Sequence, residues 1–179
     1  MTDATVDVWL FDARAPALRL LRDASGRPIV AGHPELSVSL SHSGEMTLVA
    51  IGEGCRVGVD VEVVRDRGIA ALPKHALTAV ERRELERRKA AWLQTLLSYW
   101  TRKEAILKAA GVGLAVEPNL IELPPPGSTH VVALPEKLGR PEAWCVREIA
   151  LDGHVAAVAA DASYFRMNFN IGAENHPFG

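Results

Sequence analysis

One long amphipathic helix constrains the fold more than any other stretch of the sequence. Its apolar face is marked by side chains at helical spacing, Leu93, Leu96, Leu97 and Trp100. Gly111 and Gly113 follow, and glycine commonly ends a helix because it tolerates a left-handed backbone. The pattern therefore predicts a helix over about residues 91–110 that must be covered by another element along its apolar face.

The same helix carries charged side chains along one stripe. At 100° per residue Trp100, Glu104 and Lys108 lie above one another, and Lys103 lies at their flank. A carboxylate with two ammonium groups within one turn can hold a cation and a polyanion together. The alternative, which this stretch alone favours, is an ordinary ion pair between Glu104 and Lys108 that contributes about 0.3–0.5 kcal/mol.

Two further carboxylates share one face of a predicted strand at 56–62. Asp60 and Glu62 are two residues apart, so the alternation of a strand points both side chains the same way. Adjacent carboxylates repel unless a cation lies between them, and oxygen ligands suit Mg²⁺ or Mn²⁺. The alternative is the solvated face of an edge strand, which the pair alone favours. Glu104 is the candidate third ligand, and only the fold decides whether it lies nearby.

Strands are predicted on both sides of the helical region. Alternating and apolar segments between about residues 36 and 64 predict an antiparallel meander of three strands. Segments 143–151 and 154–160 predict a hairpin that turns at Asp152–Gly153. We therefore expect an α+β fold in which antiparallel strands pack against helices.

A second helix is predicted over 79–89, because Thr78 and Glu81 have the spacing of a capping box. The order of elements suggests two lobes, residues 1–72 and 73–179. The end of the chain is polar, and a mobile C-terminal tail is expected from about residue 165.

His42 lies in a Ser/His/Ser segment at the end of a predicted strand. Imidazole, hydroxyl and free backbone N–H groups can form a small phosphate site, and a turn histidine satisfied by its neighbours is an equally good interpretation. Other site classes lack their motifs. The sequence has no Gly-x-Ser-x-Gly elbow, no Gly-Lys-Ser/Thr phosphate loop and no histidine cluster.

Composition narrows the partners and the compartment. The net charge of −2 gives no bias toward nucleic acid or membrane, and no stretch approaches 18 apolar residues. No signal-peptide pattern begins the sequence. Cys55 and Cys145 are isolated, which argues against a disulfide framework. We expect a cytoplasmic protein with no nucleic-acid or membrane partner.

Several segments taken together resemble the 4′-phosphopantetheinyl transferase superfamily, Sfp type. The two signatures are Val57-Gly58-Val59-Asp60-Val61-Glu62 and Trp100-Thr101-Arg102-Lys103-Glu104-Ala105-Ile106-Leu107-Lys108. The supporting segments are Gly26-Arg27-Pro28, Leu40-Ser41-His42-Ser43-Gly44, Leu77-Thr78-Ala79-Val80-Glu81 and Gly111-Val112-Gly113-Leu114. Each motif alone is weak, and the specificity lies in their order and spacing.

The resemblance implies Mg²⁺-dependent transfer of the 4′-phosphopantetheine arm from coenzyme A to a serine of an apo acyl or peptidyl carrier protein, with release of adenosine 3′,5′-bisphosphate. It implies two similar α+β lobes with coenzyme A between them. By motif position, Asp60, Glu62 and Glu104 would hold the metal. The residues that would contact coenzyme A are Arg27 near the nucleotide, Ser41 and His42 at the 3′-phosphate, and Lys103 and Lys108 at the other phosphates.

Within this resemblance Glu104 and Lys108 are the predicted catalytic residues. Glu104 would take the serine proton, with a metal-bound water or Glu81 as alternative bases, and lysine would neutralise phosphate charge. Carrier proteins are typically acidic, so a basic cluster is the predicted docking surface: Arg82, Arg83, Arg87, Arg88 and Lys89. A solvated helix face is the alternative there. Two lobes in one chain favour a monomer.

The chain departs from the family near its start. Family members carry a largely helical segment before the Gly-Arg/Lys-Pro turn, whereas this chain passes almost directly from Phe11 to Gly26. Arg14, Arg19 and Arg22 are candidates to replace the basic residues of that segment. The shortened first lobe supports an alternative function, a non-catalytic module that binds coenzyme A or a carrier protein. A metal-dependent phosphodiesterase is a third hypothesis, weakened by the lack of a two-metal set of His and Asp residues.

Overall fold

A computed structural model of the protein describes residues 4–12, 21–23, 26–30, 32–65, 69 and 72–171. The strands are β1 (Thr5–Asp12), β2 (Leu21–Arg22), β3 (Pro28–Ile29), β4 (Leu36–Ser43), β5 (Met46–Glu53), β6 (Val57–Val63), β7 (Cys145–Leu151), β8 (His154–Ala160) and β9 (Arg166–Ile171). The α-helices are α1 (Leu72–Ala76), α2 (Ala79–Arg87) and α3 (Trp92–Ala110). The expectations for Arg14, Arg19 and residues 172–179 lie outside the described residues.

One sheet has four strands in the order β4-β5-β1-β9. β5 is antiparallel to both β4 and β1, and β9 is parallel to β1, with Thr5 opposite Arg166. The prediction of a mobile tail from about residue 165 is therefore wrong for residues 166–171, which form an edge strand. Phe165, just before this strand, is fully buried and holds the segment in the core.

The second sheet has three antiparallel strands in the order β6-β8-β7. The predicted hairpin between β7 and β8 is confirmed. The predicted meander is correct for β4 and β5 and wrong for β6, which pairs with β8 instead of β5. β6 thus lies in a sheet with strands from beyond residue 72, and β9 joins a sheet from before it. The sheets interlock across the predicted lobe boundary, and the division into two lobes stays a prediction.

Three layers follow from the alternation of side chains in the second sheet. Ala157 and Ala159 of β8 pack with α3, whereas Ala156, Val158 and Ala160 pack with the first sheet. The second sheet is therefore buried on both faces, between α3 on one side and the four-stranded sheet on the other. Burial on both faces explains why β8 consists almost entirely of alanine and valine.

The expected capping box begins α2. The Thr78 side chain accepts from the Glu81 backbone N–H at 3.2 Å, and a Glu81 carboxylate oxygen accepts from the Thr78 N–H at 2.8 Å. α3 ends where expected, at Gly111 with φ of 68°. No helix within the described ranges is both long and apolar enough to cross a membrane.

Candidate active site

The crossing of β6 and α3 brings the two charged motifs together. Gly58 is the residue of closest approach, because a Cβ at this position would lie 2.5 Å from the Ala109 backbone nitrogen and would also overlap the Ala105 carbonyl oxygen. Only glycine permits this packing. Since side chains alternate along β6, Asp60 and Glu62 point to the same side as Gly58, toward the part of α3 that carries Glu104 and Lys108.

Asp60 and Lys108 form the centre of the site. The Lys108 Nζ donates to Asp60 Oδ1 at 2.7 Å, to Ser41 Oγ at 3.0 Å and to the Val59 carbonyl at 3.2 Å. Asp60 is only 5% exposed, whereas the Lys108 side chain is 31% exposed. The lysine therefore links a buried carboxylate to the protein surface.

The three predicted carboxylates interact electrostatically. Burial raises the pKa of Glu104, and the negative charges of Asp60 and Glu62 raise it further while Lys108 opposes them. Burial likewise raises the pKa of Asp60, against the opposing effect of Lys108, and the charge of Glu62 adds to the rise. The fold thus brings Glu104 into the field of the other two acids, which the sequence alone could not establish.

A hard divalent cation fits this donor set. Asp60 Oδ2 is buried and has no hydrogen-bond partner in the part of the chain that the structure describes. An unpaired buried carboxylate oxygen beside two further acids is the environment that a bound cation would relieve. The same described residues hold no preformed cluster of three His, Cys, Asp or Glu ligands. The positive charge beside Asp60 Oδ1 in this arrangement is the Lys108 ammonium group.

A cleft of about 540 Å³ opens beside this site. Glu104, Lys108 and Trp100 of α3 form one wall, and the Gly26–Pro28 turn forms another. Much of the lining is apolar, with Leu72 and Val116 among the contributors. Its size lies within the range of small-molecule sites in proteins.

Arg27 reaches this cleft at the carboxyl end of α3. A Cβ on Gly111 would lie 2.7 Å from the Arg27 guanidinium carbon, so the glycine both ends the helix and makes room for the arginine. A cation at this position also faces the negative end of the helix dipole. The structure therefore brings Arg27 into the cleft that Glu104 and Lys108 line. Its role near a nucleotide stays a prediction.

Ser41 and His42 point to opposite faces of β4. Ser41 is buried and its hydroxyl is fully engaged with Asp60, Lys108 and the Val61 N–H. His42 is exposed, and neither residue is among the described residues that line the cleft. The prediction that the Ser41 hydroxyl meets a phosphate is wrong in this structure, because that hydroxyl already makes three hydrogen bonds. The predicted role of His42 stays a prediction.

Lys103 and Glu81 lie away from the cleft in a buried ion pair. Their side chains are 0% and 1% exposed, and Lys103 Nζ lies 2.5 Å from Glu81 Oε2 and 2.7 Å from the Ala76 carbonyl oxygen. Glu81 also accepts from the Leu123 N–H at 2.8 Å. Burial lowers the pKa of Lys103 to about 8, although Glu81 opposes that shift. The predictions of Lys103 as a phosphate contact and of Glu81 as a base are therefore wrong, since neither group reaches solvent.

The predicted basic docking cluster is partly neutralised. Arg87 and Arg88 both pair with Glu84, and the Arg82 guanidinium donates to the Leu77 carbonyl. Arg83 and Lys89 are exposed and have no ion pair among the described residues. These two residues are the cations that remain available to an acidic partner.

Two features of the site were not predicted, although the sequence contains a pattern that corresponds to each. The serines at every second position of β4 indicate a row of hydroxyls along one face, which suggested a half-buried strand but not what the row contacts. Gly58 interrupts a valine-rich strand, and such a glycine often marks a close approach of another backbone. Neither signal identifies the partner element.

Comparison with known proteins shows that these elements lie within the sequence range of one protein family. A sequence profile of the 4′-phosphopantetheinyl transferase superfamily matches residues 56–159. That range contains β6, α2 and α3, and therefore both charged motifs. It covers more than half of the chain.

Individual proteins of similar sequence carry the same activity in their names. 4′-phosphopantetheinyl transferase HetI of a Nostoc species is 30% identical over 155 residues, which are 79% of this chain and 60% of HetI. 4′-phosphopantetheinyl transferase AcpT of Salmonella typhi is 33% identical over 112 residues, covering 58% of this chain and 55% of AcpT. Human L-aminoadipate-semialdehyde dehydrogenase-phosphopantetheinyl transferase is 30% identical over 118 residues, covering 59% and 38%. The chain thus matches 38 to 60% of the length of these relatives.

Proposed function

This chain belongs to the 4′-phosphopantetheinyl transferase superfamily, and on that premise we propose that it transfers the 4′-phosphopantetheine arm of coenzyme A to a serine hydroxyl of an apo acyl or peptidyl carrier protein. We also propose that it is of the Sfp type. One observation carries the proposal: α3 crosses β6 at Gly58, and this crossing brings Glu104 and Lys108 to Asp60. The two signature motifs therefore form one site.

Coenzyme A would bind in the cleft of about 540 Å³ beside this crossing. Arg27 and Lys108 supply positive charge for its phosphates, and the apolar wall that includes Leu72 and Trp100 suits the uncharged parts of the ligand. His42 is exposed and is not among the described residues that line the cleft, so its proposed contact with the 3′-phosphate requires the ligand to extend beyond the cleft.

Asp60, Glu62 and Glu104 would hold Mg²⁺ or Mn²⁺, since the buried Asp60 Oδ2 lacks a partner among the described residues. When bound, the ion supplies neutralisation of the pyrophosphate charge. Lys108 supplies a second positive charge at the cleft wall. Its three N–H donors are engaged by Asp60, Ser41 and the Val59 carbonyl, so a hydrogen bond to a phosphate oxygen would replace one of these three.

In the proposed reaction a bond forms between the carrier serine Oγ and the β-phosphorus of coenzyme A. The bond from that phosphorus to the bridging oxygen breaks, and adenosine 3′,5′-bisphosphate leaves with the electron pair. Glu104 accepts the serine proton. Burial and the neighbouring acids raise its pKa, which makes it a stronger base than an exposed glutamate once it is ionised.

The partner and the setting follow from the same proposal. An acidic carrier would dock against Arg83 and Lys89, the two exposed cations of the basic cluster that have no ion pair among the described residues. We propose that the protein acts as a monomer in the cytoplasm. Both cysteines are unpaired, which is in keeping with a reducing compartment.

A transfer assay tests the proposal. The full chain is incubated with coenzyme A, Mg²⁺ and an apo carrier protein, and the carrier is analysed by mass spectrometry. We expect the mass of the phosphopantetheine arm to be added to the wild-type carrier, and no addition to a carrier whose acceptor serine is replaced by alanine or after Mg²⁺ is removed by a chelator.

The shortened region before Gly26 supports the second candidate, a non-catalytic module that binds coenzyme A or a carrier protein. Its outcome in the same assay is different. Coenzyme A or carrier binding without any mass addition, across several carriers, would favour the module and contradict the transferase.

A further inference from the structure

Four serine hydroxyls connect β4 to the free edge of β6. Ser37, Ser39, Ser41 and Ser43 accept from the backbone N–H groups of Val57, Val59, Val61 and Val63, at 3.0 to 3.3 Å. The offset is twenty residues at each step, so the strands run in parallel without any main-chain ladder between them. We call this row the serine ladder. It satisfies edge N–H groups that β8, on the other side of β6, cannot reach.

Two members of the serine ladder have a second contact that the others lack. Ser41 Oγ donates to Asp60 Oδ1 at 2.8 Å, and Ser43 Oγ donates to Glu62 Oε2 at 3.0 Å. Ser37 makes the equivalent bond to the strand but, in the described part of the chain, bonds no carboxylate. Ser41 and Ser43 therefore bond both the β6 backbone and a carboxylate, whereas Ser37 and Ser39 bond only the β6 backbone among the described residues.

All the hydrogen-bonding positions of the Ser41 hydroxyl are occupied. A serine hydroxyl has one donor and two acceptor positions, and here Asp60 takes the donor while the Val61 N–H and Lys108 Nζ take the acceptors. Fixing Oδ1 in this way fixes the whole carboxylate plane. The other oxygen, Oδ2, is then held in the buried position where it has no partner.

We propose that Ser41 and Ser43 are positioning residues that hold Asp60 and Glu62 for a divalent cation. The inference rests on the metal site of the proposed function and adds two residues that act through the carboxylates without touching the ion. It assigns Ser41 a role in orienting an acid in place of the phosphate contact that its motif suggested.

Direct binding of Mn²⁺ to the full-length chain tests this role without any turnover. Free Mn²⁺ is measured by electron paramagnetic resonance during titration of the wild type, Ser41→Ala, Ser43→Ala, Ser41→Thr and Ser37→Ala. Ser37→Ala is the matched control, because it removes the same kind of bond to β6 and leaves both carboxylates untouched. We expect at least tenfold weaker binding in Ser41→Ala and Ser43→Ala, a change within twofold in Ser37→Ala, and recovery in Ser41→Thr.

Each alternative outcome is distinct. Unchanged affinity in both alanine variants, or an equal loss in Ser37→Ala, would overturn the positioning role while leaving the metal site in place. No binding to the wild type would overturn the metal site and the inference together. If Ser41→Ala does not fold, which circular dichroism would reveal, Ser43→Ala still decides because its side chain lies in a part-buried contact.

Discussion

Lys103 and Glu104 are neighbours on α3, yet their side chains lie in different environments. Glu104 lines the cleft and feels the charges of Asp60 and Glu62, whereas Lys103 is buried against Glu81. Successive side chains on a helix are rotated by 100°, which directs Glu104 to the cleft and Lys103 to the protein interior. The Lys103–Glu81 pair joins the end of α1, the start of α2 and the loop at Leu123 to α3.

Replacement of Lys103 tests this structural role. Lys103→Met leaves the Glu81 carboxylate buried without its cation, and we expect the free energy of unfolding to fall by about 3–5 kcal/mol in urea. The double variant Lys103→Met/Glu81→Gln should lose less than the single variant, because neutral glutamine needs no counter-ion. Lys74→Met, at an exposed position with no ion pair among the described residues, is the control and should change the free energy of unfolding by less than about 0.5 kcal/mol. Equal losses for the two lysines would contradict the buried-pair interpretation.

Replacement of Glu104 should separate activity from stability. Glu104→Gln removes the proposed base and a metal ligand, and we expect transfer to slow by 10²–10³-fold, or about 3–4 kcal/mol in the barrier. Burial and neighbouring acids raise the pKa of Glu104, so the ionised form is unfavourable in the fold. The melting temperature without Mg²⁺ should therefore stay the same or rise.

The control for this variant is Glu53→Gln, an exposed glutamate at the end of β5. It should leave both transfer rate and melting temperature unchanged. Substantial residual transfer in Glu104→Gln would exclude an essential role for this carboxylate.

At the residue scale, the parts of the site that follow local periodicity were predictable. Alternation along a strand places Asp60 with Glu62, and helical spacing places Glu104 with Lys108. The orientation of Ser41 was not predictable, because a serine on an alternating strand can face water or a neighbouring strand edge. The choice depends on β6, whose contact with β4 arises from the tertiary fold.

At the scale of elements, the distance between α3 and β6 determines whether a site exists. Gly58 and the small residues Ala105 and Ala109 allow the helix backbone to approach the strand backbone directly. Larger side chains at any of these positions would move Glu104 away from Asp60. The close crossing is therefore as much a part of the site as the acids themselves.

Gly58→Ala tests the crossing. The added methyl group overlaps the Ala105 carbonyl oxygen, which is backbone and cannot swing aside, so we expect a loss of about 1–3 kcal/mol in unfolding free energy and weaker Mn²⁺ binding. Gly153→Ala is the control, because a Cβ there meets nothing within 4 Å. Its left-handed backbone should cost about 1–2 kcal/mol with no change in Mn²⁺ affinity. Unaltered binding in Gly58→Ala would show that the approach is not needed for the site.

The pairing of elements was predictable only where the chain turns back directly. β4 with β5 and β7 with β8 are joined by tight turns, and both pairs were predicted correctly. β6 and β9 pair with distant strands, β8 and β1, and short alternating segments carry no information about a partner that far along the chain. In a meander, the N–H groups along this edge of β6 would bond to the main chain of a neighbouring strand. Here the hydroxyls of the serine ladder accept those hydrogen bonds instead, and the sequence pattern does not distinguish the two arrangements.

At the scale of the whole molecule, a nearly balanced net charge of −2 conceals a local excess of positive charge. Pairing with Glu84 neutralises part of the basic cluster on and after α2, and Arg83 and Lys89 remain exposed. A local field of this kind steers charged partners even when the net charge of the protein is close to zero, and salt weakens it by screening. An acidic carrier would be attracted to this side of the molecule, whereas coenzyme A would depend on Arg27 and Lys108 in the cleft.

Charge reversal at this surface should therefore affect one substrate and spare the other. For Arg83→Glu/Lys89→Glu we expect the KM for the carrier to rise about tenfold at low salt, with the difference shrinking at high salt as the charges are screened. The KM for coenzyme A should change little. Arg140→Glu/Arg166→Glu makes the same change in net charge at two other exposed arginines, which have no ion pair within the described ranges, and should leave both KM values unchanged. An unchanged carrier KM in the first variant, or an equal rise in the second, would show that the carrier docks elsewhere or responds only to total charge.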